Sequence, residues 1–186
     1  MRYFSCMQRK VILALLLLCT LTAWAHKRQK KSSPVRQALI TDAQAPDYRQ
    51  IGSPMPPLRV VTGEKAVLTN ETLKNDANLF VMMFNPTCEH CEDMTRALEQ
   101  HIALFKQSKI VLMAAPMMMP YLEYFDKTTH YTQFPSINVG IDSSGFIDHT
   151  FNYQLLPQIN IYDKDRKLIK WFSGQNTIDS LRPYIQ

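Results

Sequence analysis

From residue 79 onward, continuous apolar runs alternate with segments in which apolar residues return every third or fourth position. LFVMMF (79–84) has no polar residue, the pattern of a strand buried on both faces. Pro86 ends it. Met94, Leu98, Ile102 and Phe105 then recur at helical spacing, with Glu92 and Asp93 in the first turn, where carboxylates complement the helix dipole. KIVLMAAP (109–116) predicts a second buried strand, MMMPYLEYFDKTTHY (117–131) a helix with Pro120 near its start, and SINVGID (136–142) a third strand. A glycine-containing loop and a short aromatic segment, FIDHTFNY (146–153), follow. PQINIYD (157–163) and KLIKWFSG (167–174) alternate on either side of Lys-Asp-Arg and predict an antiparallel hairpin, with a last helix near 176–184. Upstream, PMPPLRVVTGEKAVLT (54–69) holds two apolar runs around Thr62-Gly63-Glu64, a hairpin or a turn between edge strands. Thr69 is placed to cap a short helix through NETLKN (70–75). The order strand–helix–strand–helix–strand–hairpin–helix implies an α/β sandwich with a central mixed sheet flanked by helices.

The first 50 residues follow a different logic. In MRYFSCMQRKVILALLLLCTLTAWAH, Arg2, Arg9 and Lys10 precede an apolar stretch from Val11 to Thr22 and then Ala23-Trp24-Ala25. This is the layout of a secretory signal peptide, residues 1–25, cut after Ala25; the run is short for a bilayer span. A lipoprotein would use Cys19, but Leu18 is large where a small residue is wanted, and an uncleaved membrane anchor is the alternative. Residues 26–50 read as a basic, disordered linker leading to one domain over 51–186. The formal net charge of +5 comes from this end of the chain. Residues 1–25 carry three basic groups and no acid, and residues 26–50 six basic groups and two acids. Residues 51–186 are therefore at 5 − 3 − 4 = −2, so the basic pI is no sign of nucleic-acid binding. The linker could touch anionic headgroups, although a solvated spacer is the simpler reading. The expected location is outside the cytoplasm, in the periplasm.

Export also changes the meaning of the cysteines. Cys6 and Cys19 leave with the signal, and the mature chain keeps Cys88 and Cys91 alone. In an oxidising compartment such a pair tends towards a disulfide. A loop this short removes little unfolded-chain entropy, so stabilisation explains the pair poorly. Cys88 falls where a buried strand gives way to an amphipathic helix, whose free N–H groups favour negative charge on its sulfur. Cys91 lies one turn on, within reach of a mixed disulfide at Cys88, so the two supply an attacking and a resolving thiol.

On this motif and element order, residues 51–186 resemble the thioredoxin superfamily, nearest to exported TlpA/ResA-like thiol–disulfide oxidoreductases. The resemblance implies a thioredoxin-like fold with an inserted helix and strand before the closing β-hairpin and C-terminal helix. It also implies that Cys88 attacks, that Cys91 resolves, and that no cofactor is needed. Partners would be substrate proteins or small thiols with disulfides, together with a separate redox partner that recharges the couple. The family places a cis-proline opposite the disulfide. Of Pro135 and Pro157, only Pro157 leaves a hairpin and one helix after it, which makes Leu156 the residue whose backbone would pair with substrate. Between the cysteines, His90 resembles the oxidant DsbA and Glu89 the ResA-like reductases, with opposing effects on the redox balance. Two features depart from the family: Thr87 replaces a tryptophan before the first cysteine, and Met82 replaces a buried carboxylate that would take the proton of Cys91. Water or Glu89 would have to stand in.

Two other readings compete. Cys88, His90 and Cys91 with Met113, Met117, Met118, Met119 and a distant His149 could bind or deliver Cu(I). Against that, consecutive helical methionines cannot converge on one ion, and methionines also serve as core filler and adaptable contact surface. A non-catalytic scaffold with an inert disulfide is the third possibility. His101 reads as a rim or core residue and His130 as a loop residue. Tyr121, Tyr124, Phe125, Tyr131 and Phe134 could line a substrate groove, although ordinary helix–sheet core is the simpler account.

Overall fold

The computed structural model describes residues 46–185 except Asn152 and Gln154, with only the backbone of Asp148. The expected signal peptide and all but the last five residues of the expected linker lie outside the described residues. Seven strands form one mixed sheet: β1 (Arg59–Thr62), β2 (Val67–Thr69), β3 (Leu79–Phe84), β4 (Lys109–Ala114), β5 (Ile137–Asp142), β6 (Gln158–Tyr162) and β7 (Leu168–Ser173). Their spatial order is β2-β1-β5-β4-β3-β6-β7. β3, β4 and β5 are parallel, whereas β1–β5, β1–β2, β3–β6 and β6–β7 are antiparallel. The helices are α1 (Glu89–Gln100), α2 (Leu122–Thr129) and α3 (Ile178–Leu181).

The polar-free run of β3 is explained by its central place. Phe80, Met82 and Phe84 face a layer shared with Cys91, Met94, Leu98 and Phe125. Leu79, Val81 and Met83 face the opposite layer with Leu58, Leu73, Phe146 and Phe151. Alternation of side chains across a strand thus puts apolar groups on both faces. The hairpin predicted around Thr62-Gly63-Glu64 is present and extends the sheet through β1 and β5. Gly140 makes that junction possible, because a Cβ there would lie 2.4 Å from the Val61 carbonyl oxygen.

Three elements are shorter than their patterns predict, each for a local reason. Residues 70–75 form a turn, not a helix. The Asn70 side chain accepts from the Leu58 N–H at 2.7 Å and donates to the Pro56 carbonyl at 3.1 Å. The buried Arg166 guanidinium takes the carbonyls of Leu73 and Ala77 and the side chain of Asn75. The Leu73 N–H does donate to the Thr69 carbonyl at 3.0 Å, but the turn goes no further: the Leu73 carbonyl is held by Arg166, and the Ala77 N–H that would continue a helix donates to the Asn75 side chain at 3.3 Å. The helix expected over 117–131 begins as a 3-10 turn, Pro116–Tyr121, and becomes α-helical at Leu122. Pro116 and Pro120 offer no N–H to an α-helical ladder. It ends at His130, whose φ of 60° is left-handed. The last helix keeps four residues before the 3-10 turn Arg182–Tyr184, where Pro183 interrupts it.

Candidate active site

Asn85, Pro86 and Thr87 connect the end of β3 to α1. The Asn85 side-chain oxygen accepts from the Thr87 N–H at 2.9 Å and from its hydroxyl at 3.0 Å, and the Asn85 carbonyl accepts from the Cys88 N–H at 3.0 Å. This turn places Cys88 at the N-cap of α1 with extended backbone, φ −98° and ψ 117°. The Cys88 carbonyl then accepts from the N–H groups of Cys91 and Glu92 at 2.9 and 3.0 Å. No side-chain hydrogen bond caps the helix, whose positive N-terminal end therefore begins at Cys88 itself. The role of Asn85 was missed in the sequence; an Asn two residues before a Thr at a strand end is its signal.

The two thiols are free and differ in environment. Cys88 is half-buried, while Cys91 is completely buried in the layer beneath α1. Burial pushes the Cys91 thiol well above the ordinary thiol range, and its hydrogen bond to the Cys88 sulfur pushes in the same direction. A hydrogen bond with the Asn85 backbone opposes this, and the charges of Cys88 and Glu92 add to it. Below Cys91 lies Met82, buried in the same layer. The carboxylate whose charge reaches Cys91 is Glu92, whose side chain is 12% exposed and 3.5 Å from Arg96. Glu89, the substitute the sequence suggested, is exposed, as is His90.

β6 runs antiparallel to β3, with Met83 opposite Gln158, so Pro157 comes next to the strand end that leads to Cys88. Pro157 is buried, and the Leu156–Pro157 peptide bond is cis. Leu156 is half-buried against both core layers. The Pro157 carbonyl accepts from the Gly174 N–H at 3.0 Å, tying this loop to the end of β7. Cys88, Cys91, Glu89, His90, Leu156 and Pro157 therefore lie where β3 ends and β6 begins, at one end of the sheet's inner strands.

No protein-family model matches the chain, and no curated protein matches it. Solved structures do match. A secreted Mycobacterium tuberculosis disulfide oxidoreductase homologous to E. coli DsbE is 16% identical, with a TM-score of 0.56 over 68% of this chain and 92% of that one. The thioredoxin domain of a thiol-disulfide oxidoreductase from Bacteroides vulgatus is 12% identical, with a TM-score of 0.60 over 74% and 99%. The MTB protein DsbF, in its mixed oxidized and reduced forms, is 16% identical, with a TM-score of 0.57 over 68% and 90%. The chain has the thioredoxin-like fold.

Within that fold, the groups of the copper reading are dispersed. Met113 is buried in the layer on the far side of the sheet from Cys91, and His149 belongs to the π-helical turn Phe146–Thr150, whose Phe146 and Ile147 pack in that same far layer. Met117 and Met119 are exposed and Met118 is half-buried. Among the described residues, no group of three or more His, Cys, Asp or Glu side chains is placed to hold a metal ion. His101 is the exposed C-cap of α1, and His130 the exposed residue that ends α2. The aromatic stretch divides. Phe125 is buried against Phe84 at 4.6 Å between ring centroids, with Tyr131 at 5.9 Å, and Phe134 packs on the same layer. Tyr121 and Tyr124 are exposed instead of core. Two surface depressions, of about 460 and 430 Å³, are lined by residues around Met55 and around Phe134, and neither includes a cysteine.

Proposed function

We propose that the protein is an exported thiol–disulfide oxidoreductase that exchanges two electrons with disulfide-bearing proteins or small thiols through Cys88 and Cys91. The observation that carries this reading is the asymmetry of the pair: a half-buried sulfur at a helix N-cap and, one turn away, a completely buried thiol that burial keeps protonated. The solved structures of similar fold described as disulfide oxidoreductases support the same class.

In the reducing direction, the Cys88 thiolate attacks a substrate S–S bond. It forms a Cys88–substrate disulfide and releases one substrate thiolate, which takes a proton. Cys91 then gives up its proton, and its thiolate attacks the Cys88 sulfur. The Cys88–Cys91 disulfide forms, and the second substrate thiol leaves. Oxidation of a substrate dithiol is the same sequence reversed. Burial of Cys91 keeps it protonated and shielded until Cys88 is engaged, so the outer sulfur reacts first. Pro157 and Leu156 shape the cleft beside Cys88, and Glu89 and His90, exposed next to it, set the potential. Residues 1–25 act as a signal peptide cleaved after Ala25, delivering the domain to the periplasm. No helix among the described residues is long and apolar enough to cross a membrane.

The test is a pair of variants of the purified protein, with the modified cysteine located by peptide mass mapping. Cys91→Ala is expected to accumulate a mixed disulfide at Cys88 with glutathione disulfide, and Cys88→Ala to lose exchange. Full exchange by Cys88→Ala, or no trapped species with Cys91→Ala, would sink the mechanism.

A further inference from the structure

Four of the large apolar side chains exposed among the described residues lie on the segment that follows β4. Met117, Met119, Tyr121 and Tyr124 are 67%, 38%, 48% and 48% exposed. The strand pairing explains their position. β3 and β4 are parallel, with Phe84 opposite Ala114, so the segment leading to Cys88 and the segment leading to Met117 leave the sheet side by side. Met118 and Cys88 pack on the same core layer. α1 and α2 both start from this edge and stay alongside each other: Arg96 of α1 donates to the Thr128 carbonyl of α2 at 3.1 Å. Arg96 is seven residues after Glu89 and Thr128 seven after Tyr121, which puts the first turns of the two helices level.

The charge of this face is one-sided. Glu89, Glu92, Asp93 and Glu123 occupy it against Arg96 and Lys127. Arg96 is 2.8 Å from Asp93 and 3.5 Å from the largely buried Glu92, and Lys127 is 2.8 Å from Glu123, so the exposed carboxylate without an ion pair among the described residues of this face is Glu89. A ridge of thioether and phenol side chains with net negative charge beside a reactive sulfur has two requirements for an occupant. It must bring apolar side chains to cover the ridge, and cationic ones to meet the carboxylates.

We propose that Met117, Met119, Tyr121 and Tyr124 dock the chain of a protein partner next to its cysteine, and that the segment they select is apolar and rich in Lys or Arg. This rests on the exchange reading of Cys88 and adds the partner class to it. Methionine suits the task because its flexible, polarisable side chain adapts to different apolar sequences, while the tyrosines supply contact area with a polar tip. The reaction is unchanged: Cys88 attacks the partner's disulfide, one S–S bond breaks as another forms, and the leaving thiolate takes a proton.

The experiment uses the Cys91→Ala protein and three disulfide probes. Two are twelve-residue peptides with one cysteine, dimerised through it, one of Leu and Lys and the other of Leu and Glu; the third is glutathione disulfide. The rate of mixed-disulfide formation at Cys88 is read by quenching and mass mapping. The Leu/Lys probe is expected to react at least about tenfold faster than the Leu/Glu probe at low salt, with the ratio falling as salt rises. Met117→Ser with Tyr124→Ser is expected to remove most of that advantage, slowing the Leu/Lys probe about tenfold and leaving glutathione disulfide within about twofold. Both sites are exposed, and a matched thermal midpoint confirms the fold. Equal rates for the two peptides, or no effect of the double substitution on the Leu/Lys probe, would overturn the docking surface while leaving the exchange reading intact. A parallel loss with glutathione disulfide would also overturn it, because the defect would then be in Cys88. If glutathione disulfide itself fails to react with the Cys91→Ala protein, the exchange reading fails, and the docking surface with it.

Discussion

Replacing Glu99 by glutamine should make the protein more stable above neutral pH and leave it almost unchanged in acid. Glu99 lies on the core side of α1, 8% exposed, and its Oε1 has no hydrogen-bond partner. Burial raises its pKa from 4.5 to about 7; the charge of Arg96 opposes this and that of Asp126 adds to it. In the unfolded chain the carboxyl ionises near 4.5, in the folded chain only near 7, so between these values the folded state holds the extra proton. Stability therefore falls as pH rises from about 4.5 to 7 and is level above that. At about 1.36 kcal/mol per pH unit, the interval from 4.5 to about 7 bounds the penalty at about 3.4 kcal/mol. Residual solvent contact and the nearby Arg96 bring the expected gain for Glu99→Gln at pH 8 to about 1–2 kcal/mol. The assay is urea unfolding of both proteins at several values from pH 4 to pH 8. A difference that is constant across the range, or a loss of stability at pH 8, would refute the reasoning.

Other outcomes follow from the same structure. Alkylation of the folded dithiol protein should modify Cys88 throughout the neutral range and leave Cys91 protected; equal labelling of both would contradict the burial of Cys91. Glu92→Gln should lower the pH at which the Cys88 mixed disulfide resolves, because the charge of Glu92 raises the Cys91 thiol; an upward move in a stopped-flow pH profile would reverse that sign. Phe125→Ala, which empties a buried site against Phe84 and Tyr131, should cost about 3–5 kcal/mol in chemical denaturation, and a loss under about 1 kcal/mol would argue against this core. Gly140→Ala should cost about 1–3 kcal/mol and loosen the β1–β2 hairpin in hydrogen exchange, since the added carbon meets the Val61 backbone; unchanged protection there would speak against the close approach.

What the sequence revealed was what local pattern controls. The buried strands β3 and β4 were readable as unbroken apolar runs, α1 from its spacing, and the cysteine pair from its place between a strand and a helix. What escaped it depends on distant partners. Nothing local tells that the Leu73 and Ala77 carbonyls are held by Arg166, 93 and 89 residues away, so the helical turn begun at Thr69 stops after one turn instead of continuing. The two prolines that delay α2 were visible, but their consequence was not: Tyr121 and Tyr124, for which core was the simpler expectation, are on the surface. Of the two stand-ins for the missing carboxylate, water and Glu89, helical geometry leaves Glu89 exposed, and the carboxylate whose charge reaches Cys91 is Glu92.

Whether Cys88 and Cys91 form an exchanging couple is read from the reduction potential of the pair. The method is equilibration in graded thiol buffers, followed by alkylation and mass mapping. A value between about −270 mV, the thioredoxin level, and about −120 mV, the DsbA level, is predicted, with the lower end marking a reductase and the upper an oxidant. A potential below about −300 mV, together with slow alkylation of Cys88, would mean an inert structural disulfide and would contradict the account.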